Sequence, residues 1–277
     1  MASENAQRPV EPSDGPGIGS LVSDVPGLDV IDLGRMGYTQ ALDIQRARQA
    51  ELIEARGTPD GAVGTIYLVE HPPVITVTSR PSAAGHVLAS AEHLASVGVE
   101  VHATDRGGDV TYHGPGQIVA YPILDLERLG GSAGAGEGVG DETGGKPLGL
   151  HGYMRLLEQS VIDTIAHWGL SGERDPSATG VWVATPAGQP APQPAPTSAK
   201  IAAMGVRVRK WVTMHGLALN VAPDLAHFGL IVPCGLAGRP VTSMHALLGD
   251  ASPTFDEVKR VLAGRLVSLV SEHGFRV

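Results

Sequence analysis

The residues best equipped for chemistry are crowded into Arg106-Gly-Gly-Asp-Val-Thr-Tyr-His-Gly-Pro-Gly-Gln117. A cation, a hydroxyl, an imidazole and four glycines fall within this one run. Glycines allow positive φ and a close approach of backbone to a ligand. Arginine and threonine can hold an anionic or carbonyl group. The competing reading is an ordinary glycine-rich turn. The lone cysteine, Cys234, stands in Val232-Pro-Cys-Gly235. A single cysteine is often a small buried hydrophobe, but a tight turn between Pro and Gly suits a nucleophile. Such a nucleophile needs a neighbouring cation to supply thiolate at neutral pH. Lys200, at the head of Ile201-Ala-Ala-Met-Gly205, is the candidate; its alternative is a solvated loop end.

The remaining histidines divide. His215-Gly216 falls inside an apolar run, where a glycine marks the close approach of another backbone or a ligand. His71, His102 and His245 have no metal-ligand spacing, and no H-E-x-x-H occurs, so no metal is expected. Gly140 to Lys146 imitates a phosphate-binding loop, but Pro147 stands where the hydroxyl is needed. No G-x-G-x-x-G is present, and no nucleotide cofactor is expected.

These residues need rigid elements to hold them. Thr65–Val69 and Val74–Thr78 read as strands separated by His71-Pro-Pro73. Gln117–Leu124 is another strand, and Pro122 predicts a sheet edge or a strand end there. Val181–Val183, Ile201–Val208 and Val212–Val221 follow, the last two joined at Arg209-Lys-Trp211 as in a hairpin. Apolar residues at Met154, Leu157, Val161, Ile165 and Trp168 predict a helix over 151–168. Thr254-Phe-Asp-Glu257 is a capping-box pattern opening a C-terminal helix closed by Gly274. A third helix is expected over 38–55. The mixture without strict alternation predicts an α/β (α+β) domain with a mixed sheet flanked by helices.

Composition locates the irregular parts. The chain has 277 residues with 37 glycines and 21 prolines. Much of that excess falls in residues 1–27, in 130–149 and in 185–198. None of these can bury enough apolar surface to offset ordering entropy. The expected organisation is a disordered tail over 1–27 and a catalytic domain over 28–277 carrying two flexible insertions. One cysteine excludes a disulfide framework. A net charge of −9 argues against nucleic-acid binding. No apolar run spans a bilayer and the first residues lack a secretory pattern, so a cytoplasmic enzyme without a membrane partner is expected.

The run Arg106-Gly-Gly-x-x-Thr-Tyr-His-x-x-Gly-Gln-x-x-x-Tyr121 resembles the signature of the lipoyl(octanoyl) transferases, the LipB family. His71-Pro-Pro-Val, Lys200-Ile-Ala-Ala-Met-Gly205, His215-Gly-Leu-Ala-Leu-Asn220 and Pro233-Cys-Gly235 follow in matching order. The resemblance covers roughly residues 28–250. It implies a fold like the catalytic domain of biotin and lipoate ligases. It implies transfer of an octanoyl group from octanoyl-acyl carrier protein to a lysine of lipoyl domains, on 2-oxoacid dehydrogenase E2 subunits and the glycine-cleavage H protein. Cys234 matches the acyl-thioester nucleophile, and Lys200 the lysine that lowers its pKa. The substrate-binding segments match Arg106, Gly107, Gly108, Asp109, Val110, Thr111, Tyr112 and His113, then Ala203, Met204 and Gly205, then Gly216, Leu217 and Ala218. His71 and His215 are accessory candidates. An apolar slot is expected along Ile201–Met204 and Leu217–Leu219. Arg106, Arg207, Arg209 and Lys210 are candidates for a basic docking patch. An ATP-dependent lipoate–protein ligase, a non-catalytic acyl-binding protein and a thioesterase are the alternatives.

Overall fold

The computed structural model describes residues 19–21, 23–56, 58, 62–130, 147–184, 198–232 and 238–274. Most of the two expected insertions, and Cys234 itself, lie outside the described residues.

Helix α1 (Tyr38–Glu54) connects β2 (Leu28–Arg35) to β3 (Gly64–Glu70), and these two strands run parallel, as a helical crossover requires. The next strands in the same sheet are β7 (Gln117–Leu124), β11 (Val212–Asn220), β10 (Ser198–Arg209), β9 (Ala178–Ala184) and β8 (Gly172–Asp175), all antiparallel to their neighbours. Strand β1 (Gly19–Leu21) adds to the edge of β2, with Gly19 opposite Asp32. Val25 is buried as well. Described structure therefore lies inside the segment expected to be tail.

Side-chain alternation sorts this sheet into two faces. Ile118, Ala120 and Leu124 of β7, with Leu217 and Leu219 of β11, face α3 (Leu150–Ala166) and α5 (Phe255–Glu272). Val119, Tyr121, Ile123 and Ala218 face α1. The capping box is formed at Thr254 and Glu257, as the pattern predicts.

A smaller sheet sits apart. The turn at His71-Pro-Pro73 carries the chain from β3 into β4 (Val74–Thr78), which pairs with β5 (Glu100–Thr104) and β6 (Thr111–His113). Helix α2 (Ala91–Ser96), unmarked in the sequence reading, lies between the parallel pair β4 and β5.

One strand detail differs from expectation. Pro122 lies in the middle of the large sheet, not at an edge. The β7–β11 ladder runs only from Gln117 to Ala120, so the missing N–H of Pro122 falls where the strands have separated. The Thr213 hydroxyl fills that gap: it donates to Pro122 O (2.7 Å) and accepts from Leu124 N–H (2.8 Å). The β10–β11 hairpin is closed by Lys210 and Trp211, both at positive φ (47° and 61°), the twist that a two-residue hairpin favours.

Candidate active site

A solvent-open pocket of about 460 Å³ lies where β6 and the loop before it cover β7, β10 and β11. Val119, Ala203 and Ala218 form its apolar wall, Met204 and Leu217 line it with their side chains packed toward the helix face, and Tyr38, His113, Tyr121 and His215 form a polar wall. A second pocket, about 270 Å³, adjoins it. Thr111 and Ala203 line both, and Lys200, Gln117 and Asn220 line the second.

Lys200 is buried in mid-sheet, not a solvated loop end. Its Nζ donates to Thr179 O at 3.0 Å and lies 4.8 Å from the centre of the Trp182 ring. Arg239 stacks on the same ring at 3.9 Å and pairs with Asp175 at 2.5 Å. The β9–β10 register shifts between Lys200 and Ala202, opposite Trp182 and Val181 and next to Gly180. Gly180 has φ +127, and a Cβ there would stand 2.5 Å from Ala202 O and 3.3 Å from Lys200 Cε. Its missing side chain leaves the room that the lysine stem occupies.

The chain on either side of the segment 233–237 is fixed. Before it, Val232 N–H donates to His86 O at 2.8 Å. The His86 ring is in turn held by Asp109, which also accepts from Val110 N–H, each at 2.8 Å. After it, Val241 runs parallel to Lys200: Lys200 N–H donates to Pro240 O, and Thr242 N–H to Lys200 O, both at 2.9 Å.

Among the signature residues, Arg106 is committed to the protein. Its guanidinium donates to Thr76 O (3.2 Å), Thr76 Oγ1 (3.0 Å) and Gly107 O (3.1 Å). Gly107 N–H donates to Val206 O at 2.9 Å, tying the loop over β10. Gly205 permits this, since a Cβ there would meet Gly107 O at 2.6 Å. Opposite it in the ladder, Gly216 admits the backbone of β7, with Ala120 O only 2.2 Å from where its Cβ would stand. The approach foreseen at Gly216 is thus to a neighbouring strand.

The imidazoles are held neutral. His71 Nδ1–H donates to Met36 O (2.7 Å) and Nε2 accepts from the Tyr121 hydroxyl (2.8 Å). Burial lowers its pKa to about 4. His113 donates from Nδ1 to Gln117 Oε1 at 2.7 Å, and burial, with His71 nearby, lowers its pKa to about 3. Gln117 donates onward to Asn220 Oδ1 (2.9 Å), and Asn220 to Thr242 O (2.9 Å), linking the first pocket to the segment beside Lys200. His215 sits at φ 59 and donates from Nε2 to Asp105 at 2.8 Å. Burial lowers its pKa against the pull of Asp105. Burial alone would raise Asp105, but the His215 bond and Arg207 outweigh it and hold the carboxyl below its ordinary range.

The model of the lipoyl protein ligase A/B catalytic domain matches residues 38–267, most of the chain. The chain belongs to this family. Two curated octanoyltransferases are each 45% identical to it. That of Acidobacterium capsulatum aligns over 233 residues, 83% of this chain and 85% of that one. That of Chloroflexus aurantiacus aligns over 240 residues, 85% and 91%. This member of the lipoyl protein ligase A/B family is an acyltransferase of the octanoyltransferase type. The fold is shared with a bipartite lipoate protein ligase of Thermoplasma acidophilum, at 16% identity and TM-score 0.58 over 87% of this chain and 82% of that one. A lipoate-protein ligase A bound with ATP aligns at 15% identity and TM-score 0.54, over 85% and 82%.

Within the family fold, the expected segments separate. Arg106, Gly108, Thr111, His113, Ala203, Met204, Gly205, Gly216, Leu217 and Ala218 line the first pocket, as does His215. Val110 and Tyr112 point instead into the small-sheet core, where the Tyr112 hydroxyl shares a 2.8 Å hydrogen bond with His227. Asp109 supports His86 and lines neither pocket. His71 stands behind Tyr121. Ile201, Ala202 and Leu219 face the helices on the far side of the sheet, so the slot is shorter than expected. The basic patch divides: Arg106 is bonded inward, Arg207 pairs with Asp105, and Arg209 and Lys210 are exposed at the hairpin tip. Sequence reading missed Tyr38, Asp105, Thr179, Gly180 and Trp182. Gly180 carried a signal, an isolated glycine inside a strand run.

Proposed function

We propose that the chain transfers an octanoyl group from octanoyl-acyl carrier protein to a lysine of lipoyl domains through a thioester on Cys234. The reading rests on one observation above the others. A lysine buried in mid-sheet lines a pocket that adjoins an apolar slot, and Val241, which follows Cys234 in the chain, runs bonded beside it. A membrane or nucleic-acid partner has no part in it.

In the first step the Cys234 thiolate attacks the carbonyl carbon of the carrier thioester. A new C–S bond forms, the carrier's C–S bond breaks, and the leaving thiolate takes a proton from the Lys200 ammonium, which leaves Lys200 neutral for the second step. One thioester replaces another, so the step is nearly thermoneutral and depends on thiolate supply. The ammonium of Lys200 stabilises that thiolate. In the second step the acceptor amine attacks the acyl-enzyme. The amide C–N bond forms, the Cys234 thiolate leaves, and Lys200 takes the amine's surplus proton. The acyl chain lies along Ala203, Ala218 and Val119. Asp109 acts through His86 and Val232 to set the turn that bears Cys234. The Thermoplasma ligase is described with its E2 lipoyl domain, which supports the same class of acceptor here.

The test mixes the full chain with octanoyl-acyl carrier protein and a lipoyl domain, without ATP. A gain of one octanoyl group on the domain's lysine is expected. Lys200→Met should slow both half-reactions; acylation slowed with acceptor attack unchanged would remove Lys200 from the second step. Transfer only when ATP and free acid are supplied would replace the reading with a ligase.

A further inference from the structure

The apolar slot has a closed end, and the group closing it is polar. Along β10 and β11 the opposed pairs are Ala203 with Ala218, Gly205 with Gly216, and Val206 with His215. Val119 is level with Ala218, and Tyr121 lies two residues further along β7. A chain entering at Thr111 and Ala203, the residues common to both pockets, therefore passes Val119, then Tyr121, and meets His215. Above this end, Gly107 N–H is bonded to Val206 O, so the roof is closed too.

The lengths agree. Ala203 to Val206 is three residues of strand, about 10 Å. An eight-carbon acyl chain has seven carbon–carbon bonds of about 1.5 Å and, zigzagged, spans roughly 9 Å.

His215 is held on every side. Its Nε2–H is bonded to Asp105 at 2.8 Å, and its backbone N–H donates to Gln45 Oε1 at 2.9 Å. Its φ of 59° is one that few side chains adopt. Asp105 is itself paired with Arg207. A longer chain must push the imidazole off Asp105 and strip a half-buried carboxylate of its hydrogen bond. That is a stronger rejection than an apolar wall gives, because a displaced polar partner is left unpaired.

We propose that His215, locked by Asp105, is the length stop of the acyl slot. This rests on the acyl-transfer reading above. Asp105 is a positioning residue, acting through the ring it holds.

The test gives the full chain equal amounts of octanoyl-, decanoyl- and dodecanoyl-acyl carrier protein with a lipoyl domain, and weighs the products by mass spectrometry. The unmodified protein should favour octanoyl. His215→Gly suits the positive φ and removes the ring. Each newly buried methylene then favours the longer chain by about fourfold, so the decanoyl-to-octanoyl ratio should rise about 15-fold. His215→Asn, shorter and tolerant of that backbone, should move the ratio the same way by less. Asp105→Ala changes a residue outside the slot and should raise the ratio severalfold; it decides the matter if the His215 variants do not fold. Folded variants with an unchanged ratio overturn the length stop and leave transfer standing. No transfer of any chain by the unmodified protein overturns the transfer reading, and this proposal with it.

Discussion

Gly180→Ala is the sharpest probe of how the sheet makes room for Lys200. Position 180 holds φ at +127, and an added Cβ would stand 2.5 Å from the Ala202 carbonyl, against 3.4 Å for ordinary contact. Backbone in the bulge must therefore give by about 0.9 Å (3.4 − 2.5). The unfavourable φ costs about 1–3 kcal/mol, and overpacking costs about 1–3 kcal/mol more. A loss of roughly 2–6 kcal/mol in unfolding free energy is expected. The same Cβ crowds Lys200 Cε at 3.3 Å, so the ammonium moves too. Misplacing a reacting group by about 1 Å costs on the order of 100-fold in rate. Urea melts give the first quantity, and single-turnover acylation of the folded protein gives the second. Gly85→Ala is the control: nothing lies near its Cβ, and a change within about 0.5 kcal/mol is expected. If Gly180→Ala is equally silent in both assays, the bulge does not position Lys200.

Thr213→Val should cost about 2–4 kcal/mol in urea unfolding, because Leu124 N–H and Pro122 O both lose the buried hydroxyl that satisfies them; a cost below 1 kcal/mol contradicts its role in the ladder gap. Thr254→Ala removes one half of the capping box of α5 and should cost about 1 kcal/mol, read as a lowered urea midpoint. Stability should also fall with acid. His71 and His113 titrate in the folded chain near 4 and 3, below the 6.5 of an unfolded histidine. As pH drops below 6.5 the unfolded chain takes up protons that the folded chain refuses. The two rings together should therefore remove about 3 kcal/mol per pH unit until pH nears 4. A flat unfolding free energy between pH 7 and pH 5 contradicts this.

Where period and composition coincide, the fold was legible. The helices over 38–54, 150–166 and 255–272 follow from apolar spacing and a capping box. Strands β3, β4, β7, β9, β10 and β11 follow from β-branched runs, while β6, which brings Thr111 and His113 to the pocket, was hidden in the glycine-rich run. Pro122 misled because its missing donor is compensated by a hydroxyl ninety-one residues away, which local sequence does not show. The division into two sheets was hidden for a similar reason. His71-Pro-Pro73 reads as a turn between strands, and only tertiary pairing decides that they part company. The pocket's apolar wall was half legible: alternation says that Leu219 faces away from Ala218, but not which face is solvent, and it puts Ile201 on the face of Ala203, whereas the register shift between Lys200 and Ala202 accompanies its turning to the helix side. Tyr38 and Asp105 were out of reach, since their place depends on α1 and β5 meeting β11 across the fold. Gly180 was within reach.

The central claim is that the acyl group passes through Cys234 beside a buried lysine. It is tested most directly by weighing the intact protein after mixing with octanoyl-acyl carrier protein alone. The account predicts a mass gain of one octanoyl group, released by added thiol, lost in Cys234→Ala and formed much more slowly in Lys200→Met. Octanoyl transfer to a lipoyl domain with no such adduct, or with the adduct retained in Cys234→Ala, would contradict it.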